Sequence, residues 1–181
     1  MSKPKIKSIQ GKKILLEPFS TKFVSNKYLS WMNDKKVTEF IEKSKDKITL
    51  DDITLFANQM IHSEKDYFFA ILLKNDLSHI GNVRLGPIDF NSKKSGFGIL
   101  IGEKNLHGKG LGTEVMELIK EFSFNYLQLK KLSFPVAKDH LPAMKLYSKT
   151  GFKCLGDKGF TLDKNGKTWK LVEWTINNPL L

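Results

Sequence analysis

The feature that most constrains this fold is the run His107-Gly108-Lys109-Gly110-Leu111-Gly112-Thr113, set between a segment with strand spacing and one with helix spacing. Before it, Phe97, Ile99 and Ile101 alternate with Gly96, Gly98, Leu100 and Gly102, which predicts a strand with one bulky face and one nearly bare. After it, Val115, Leu118, Ile119, Phe122 and Tyr126 share one face of a helix predicted over residues 113–126. Glycines let backbone N–H groups approach a ligand, and a helix start carries partial positive charge. Strand, glycine turn and helix in that order suit a pyrophosphate, although a purely structural tight turn has the same composition. The spacing is neither that of a P-loop nor that of a dinucleotide fingerprint.

The surrounding pattern is mixed. Ile14 to Leu16 reads as a first strand, and Thr21 to Ile41 has helical spacing with a break near Asn33 and Asp34. Thr49 and Asp52 resemble a capping box ahead of a second helix through Ile61. Strands are predicted at 67–73, 80–88 and 96–102, where turn-rich joints suggest an antiparallel meander. Lys131 to Ala137 reads as a strand, Leu141 to Thr150 as a helix ended by Gly151, and Lys167 to Ile176 as the last strand. No repeat or linker divides the chain, so a single domain over residues 1–181 is expected.

Charge narrows the partners. The 30 Lys and Arg exceed the 19 Asp and Glu, a formal +11 that favours anionic ligands such as nucleotides and phosphorylated cofactors. The lysines are spread from Lys3 to Lys170 without a block or an aromatic-interleaved stripe, so nucleic acid is not the expected partner. Cys154 is the sole cysteine, which excludes an internal disulfide; buried packing and a cytoplasmic location are the expectations. No segment nears the roughly 20 apolar residues of a spanning helix, so no membrane partner is expected. His62 and His79 have no companions at metal-ligand spacing, and no metal is expected.

Two motifs in order resemble the GNAT N-acetyltransferase superfamily. The run from His107 to Gly112 is similar to its cofactor motif, Gln/Arg-x-x-Gly-x-Gly/Ala, with His107 in the first position. Ala143-Met144-Lys145-Leu146-Tyr147-Ser148-Lys149-Thr150-Gly151-Phe152 is similar to its fourth-helix motif, and the likeness extends over roughly residues 10 to 176. The resemblance implies an α/β (α+β) fold, with a central, mixed but mostly antiparallel twisted sheet of six to seven strands and about four flanking helices. It implies acetyl-CoA as co-substrate, with Leu100, Ile101 and Gly102 along the pantetheine arm. His107, Gly108, Lys109, Gly110, Leu111, Gly112 and Thr113 would hold the pyrophosphate, and His140 stands where the family has a cofactor-contacting asparagine. Tyr147 matches the proton donor to the departing sulfur, whereas the fifth-strand position that often holds a carboxylate base is Pro135.

Direct attack of an amine on a thioester needs a neutral nitrogen, and a lysine-type ammonium has a pKa of about 10.4. Glu103, just after the cofactor strand, and His107 are candidate bases, and an ordered-water relay without a base fits equally well. Tyr28-Leu29-Ser30-Trp31-Met32-Asn33-Asp34 resembles a first-helix stretch of the ribosomal-protein N-terminal acetyltransferases and of enzymes that acetylate nucleotide-linked amino sugars. Tyr28, Trp31 and Asn33 are therefore candidate acceptor residues, and Arg84 could meet an acceptor phosphate or carboxylate. A small-molecule primary amine, such as a nucleotide-linked amino sugar, is the leading expectation and a protein N-terminus the alternative. A non-catalytic RNA- or CoA-binding module is the alternative of another class. A homodimer is compatible with everything in the sequence.

Overall fold

The computed structural model describes residues 3–4, 6–42, 47–164 and 166–180. In chain order they form β1 (Ile9–Gln10), β2 (Ile14–Pro18), α1 (Asn26–Asn33), α2 (Leu50–His62), β3 (Tyr67–Leu73), β4 (His79–Leu85), β5 (Lys94–Ser95), β6 (Phe97–Ile101), α3 (Leu111–Glu121), β7 (Lys131–Ala137), α4 (Leu141–Lys149), β8 (Lys153–Lys164) and β9 (Lys167–Asn177). The unbroken apolar run of β3 sets the layering, because a strand with no polar face needs cover on both sides. Tyr67, Phe69 and Ile71 join one core with Val115, Met116 and Ile119 of α3. Phe68, Ala70 and Leu72 join a second core with Tyr28 and Trp31 of α1 and Ile53 and Ala57 of α2. Each fully buried side chain of this size contributes about 1.5–3 kcal/mol. Both covering helices on the second face start at designed caps: Ser25 accepts from Tyr28 N, and Thr49 and Asp52 complete a reciprocal capping box.

The expected, mostly antiparallel arrangement is present, but it is divided. One sheet has the order β1-β2-β3-β4-β6, the other β5-β7-β9-β8, and among the described residues only β5 and β7 pair in parallel. The described strands exceed the six or seven expected because β1 and β5 are two-residue pieces and β8 was not anticipated. The division falls at Gly96. Just before it, Ser95 pairs with Leu132 of β7; just after it, Phe97 pairs with Leu85 of β4. From that point β6 and β7 splay apart.

Three other expectations are corrected. Residues 34–41 form turns rather than a continued helix, because the Asn33 side chain caps and ties both the N–H and the C=O of Ile48. The helix after the glycine run ends at Glu121 and passes into a π-helical turn, Phe122–Tyr126, in which Leu127 N reaches back to Phe122 O at 3.0 Å. Cys154 is exposed on β8 rather than buried.

Candidate active site

The splay leaves two strand edges without partners. Gly86 N donates to Gly96 O and Gly102 N to Ile80 O, each at 2.9 Å. Antiparallel pairs alternate between bonded and non-bonded positions, so Gly98 and Leu100 also turn their backbone groups toward β4. The N–H and C=O groups of Phe97, Ile99 and Ile101 therefore point away from it. On β7, Lys138 N donates to Lys170 O and Asn178 N to Lys130 O, each at 2.9 Å. The same alternation turns Ser133, Pro135 and Ala137 away from β9 and toward β6. Pro135 thus sits where its missing N–H forfeits no ladder bond.

Between these edges opens a cleft of ≈ 1730 Å³. One end of it is the glycine run. Gly108 and Gly110 have positive φ, 76° and 82°, and an added Cβ at either would meet nothing within 4 Å. Gly110 caps α3 with no side-chain bond, and the first helical bond is Glu114 N to Gly110 O at 3.2 Å. The first-turn N–H groups of Leu111, Gly112 and Thr113 are consequently without intrahelical acceptors and carry the positive end of the helix dipole. This is a cradle for an anion, reached without obstruction.

Of the sequence-predicted cofactor residues, Leu100, Ile101, His107, Gly108, Gly110, Leu111, Gly112, Thr113 and His140 line the cleft; Gly102 and Lys109 do not. Leu100 turns its backbone to β4 and packs its side chain against the second core. Gly102 lies beneath Trp31, where a Cβ would come within 2.0 Å of the indole. Ile101 alone of that trio faces the cleft edge, and its carbonyl accepts from His107 Nε2 at 2.8 Å. The tautomer that donates there leaves His107 Nδ1 as an acceptor. Phe97 and Ile99 also line the cleft and lie outside the expected cofactor set, because only the register of β6 on β4 shows which backbone groups face it.

Tyr147 lines the cleft and is buried against Phe134, Phe97, Phe152 and Trp174, the nearest ring centroid being 4.9 Å away. Burial pushes its hydroxyl up to about 12. His140 stacks on Phe40 at 4.4 Å, and burial lowers its pKa, against a smaller opposing pull from Glu39. Its Nδ1 is buried without a hydrogen-bond partner among the described residues.

The other candidates separate into two places. Arg84 lines the cleft, but its Nε and Nη2 both reach Asp66 Oδ1, at 2.7 and 2.6 Å. Tyr28, Trp31, Asn33 and Glu103 are not among the lining residues. Tyr28 and Trp31 are 4% exposed, inside the second core, and Glu103 receives the Trp31 indole N–H. In their place the turns after α1 bring Val37, Phe40 and Ile41 to the cleft. Lys164 Nζ, from β8, donates to the carbonyls of Thr38 and Ile41 and bridges those turns to the β8–β9 hairpin. No sequence signal marked this bridge. Among the described residues no group of three or more His, Cys, Asp or Glu could hold a metal, and no helix is long and apolar enough to cross a membrane.

Strand-edge amides along one stretch and helix-start amides at its end fit an extended, amide-bearing, phosphorylated ligand, and the family match places the chain among the acyltransferases. Residues 13–153 match the family model described as an acetyltransferase (GNAT) domain, and the chain belongs to that family. It is 31% identical over 116 residues to spermidine N(1)-acetyltransferase of Escherichia coli (strain K12), covering 64% of this chain and 61% of that one. It is 21% identical over 154 residues to the alpha/beta-tubulin-N-acetyltransferase 9 of Homo sapiens, covering 79% and 73%. The structure of spermidine N-acetyltransferase from Vibrio cholerae with CoA and spermine superposes with a TM-score of 0.82 over 92% of this chain and 96% of that one, at 20% identity.

Proposed function

We propose that this acyltransferase moves the acetyl group of acetyl-CoA to the primary amine of a small cationic molecule by direct attack. The observation that carries the reading is the pair of unpartnered strand edges leading to the free amides of α3. Phe97, Ile99 and Ile101 would pair with the pantetheine amides as a strand pairs with its neighbour. Gly108 to Thr113 would grip the pyrophosphate, and Ile99 N–H, held at a fixed edge, could stabilise the oxyanion. When bound, acetyl-CoA supplies the activated acyl group and the thiolate leaving group.

Tyr147 would sit beside the sulfur. An acid at about 12 set against a thiol at about 8.5 makes complete proton transfer uphill by about 5 kcal/mol. Its hydroxyl therefore serves as a hydrogen-bond donor to the departing sulfur, while the proton that ends there comes from the attacking nitrogen.

Arg84 bears on the acceptor, because the group suited to a nucleotide phosphate is already engaged with buried Asp66. The cleft wall carries both signs, Glu39, Glu42, Asp89 and Asp139 beside Lys36, Lys94, Lys145, Lys149 and Lys167, with Glu39 and Glu42 on the turns after α1 where a cationic amine could meet them. A polyamine-like amine fits this better than an amino sugar carried on a nucleotide, and the name of the Escherichia coli relative points the same way. The bridge from Lys164 to the turns after α1 would narrow the entrance, which would suit a slender alkyl amine. A cytoplasmic homo-oligomer is the setting that fits this reading, and light scattering measures the assembly.

The test is thiol release from acetyl-CoA with spermidine, amino-sugar nucleotides, amino acids and peptides beginning with Ala or Ser. Spermidine-class turnover is expected. Turnover confined to peptides would move the assignment to protein N-termini, and turnover confined to amino-sugar nucleotides would restore that acceptor.

A further inference from the structure

The attacking ammonium must lose a proton before its nitrogen can bond to the acyl carbon. The carboxylates that line the cleft, Glu39, Glu42, Asp89 and Asp139, are all exposed on its rim. None stands where β6 and β7 part. That point is marked by Gly96, whose nearest neighbour for an added Cβ is the Ser133 carbonyl at 3.4 Å. Ser133 lines the cleft there, adjacent in sequence to Phe134, whose ring lies 4.9 Å from Tyr147. Phe134 and Ser133 point to opposite faces of β7, so the tyrosine and the serine flank the same notch from its two sides.

Ser133 Oγ donates to Oε1 of Glu173. Glu173 lies on β9 directly across from Pro135 and is half-buried behind the serine. A hydroxyl whose hydrogen is committed to a carboxylate has only lone pairs left for the cleft. We propose that Ser133 and Glu173 form the proton-accepting relay for the attacking amine, with Ser133 touching the substrate nitrogen and Glu173 acting through it. The inference rests on the acetyl-transfer reading above. One ammonium proton passes to Ser133 Oγ as the serine's own proton passes to Glu173, leaving a neutral amine and a carboxylic acid. The nitrogen then bonds to the acyl carbon, the C–S bond breaks, and the second nitrogen proton ends on sulfur. Glu173 returns its proton to solvent, so one amide, one thiol and one proton leave.

The charged groups on this face are set by register. Lys131 of β7 and Lys94 of β5 pair with each other, two residues from Ser133, and Lys153 of β8 pairs with Thr175, two residues from Glu173. Arg84, Lys36, Lys145, Lys149, Lys167, His107, His140 and the four rim carboxylates line the same cleft. The nearest of these by register are the lysines of β5, β7 and β8.

The experiment follows thiol release from pH 6 to 10 for the wild type, Glu173→Gln, Ser133→Ala and Ser133→Thr. Spermidine serves as the high-pKa acceptor and glycinamide as the low-pKa one. Expected are losses of about 100-fold in kcat/KM with spermidine at pH 7 for Glu173→Gln and Ser133→Ala. The gap should narrow as pH rises, shrink with glycinamide, and close for Ser133→Thr, which keeps a hydroxyl. A loss equal at every pH and for both amines, or no loss, overturns the relay while leaving acetyl transfer intact. A wild type that gains thermal stability with acetyl-CoA but acetylates neither amine overturns the transfer reading, and the relay with it.

Discussion

The indole Nε1 of Trp31 donates to Oε1 of Glu103 at 3.0 Å, joining α1 to the residue that follows the cofactor strand. Lys27 Nζ stands 3.3 Å from the same oxygen. A carboxylate so engaged, and outside the cleft, is a brace for the second core rather than a proton acceptor. Glu103→Gln keeps an amide oxygen for the indole and should leave kcat/KM within about twofold, where loss of a true base costs about 100-fold or more. Trp31→Ala should lower stability by about 3–5 kcal/mol. Thiol-release kinetics and denaturant titration check both, and a pH-dependent collapse of Glu103→Gln would reinstate it as the base.

Much of this arrangement was legible in the residues, and the reasons are specific. The capping box at Thr49, the apolar run of β3, the glycine run and Gly151 at the end of α4 are local signals, and each element appears close to where its pattern predicted. β8 was missed because it is an edge strand, exposed at nearly every position, with left-handed Gly156 and Gly159 and two register shifts that erase any two-residue alternation. Trp31 invited an acceptor role because an aromatic beside polar residues reads the same in a core as in a cleft. Only the fold reveals that Gly102 is bare to make room for it. The Ser133–Glu173 pair, separated by 40 residues in sequence, could not be joined before β7 and β9 were paired.

Tyr147→Phe separates stability from turnover. The ring is buried in an aromatic cage, and the residue lines the cleft. Removing the hydroxyl leaves every ring contact in place, so stability should change by no more than about 1 kcal/mol. The melting temperature should stay nearly constant while kcat falls about 10- to 100-fold at unchanged KM for acetyl-CoA. An unchanged kcat would remove Tyr147 from the chemistry.

Gly110→Ala tests the cradle. At φ 82° any L side chain is strained, at a cost of about 1–2 kcal/mol, and the new methyl would project into open space rather than into protein. Acetyl-CoA binding measured by calorimetry should weaken about tenfold or more, since the methyl stands where the diphosphate must approach. Binding equal to wild type would place the anion elsewhere.

Two histidines make stability depend on pH. Burial lowers the pKa of both His79 and His140 from 6.5, partly offset for His79 by its bond to Asn82 and for His140 by Glu39. The unfolded chain therefore binds these protons more readily, and the stability they confer is present above about 6.5 and lost as pH falls through their folded values. The melting temperature should drop by several degrees between pH 7 and pH 5. His140→Asn should flatten part of that slope, and an unaltered slope would exclude His140 as a contributor.

Lys164→Ala cuts the bridge between the β8–β9 hairpin and the turns carrying Phe40 and Ile41. Those turns line the cleft, whereas the glycine cradle and α3 lie on other elements. A lysine holding two carbonyls helps to order a segment made of turns, and releasing it returns conformational entropy chiefly to that segment, with the stack of Phe40 on His140 still in place. KM for the amine should rise several-fold while KM for acetyl-CoA and the melting temperature stay nearly constant. If the entrance is narrowed as proposed, the variant should also acetylate bulkier amines, including N-terminal peptides, relative to spermidine more readily than the wild type does. An acceptor profile identical to wild type would mean that the bridge holds the hairpin without shaping what enters.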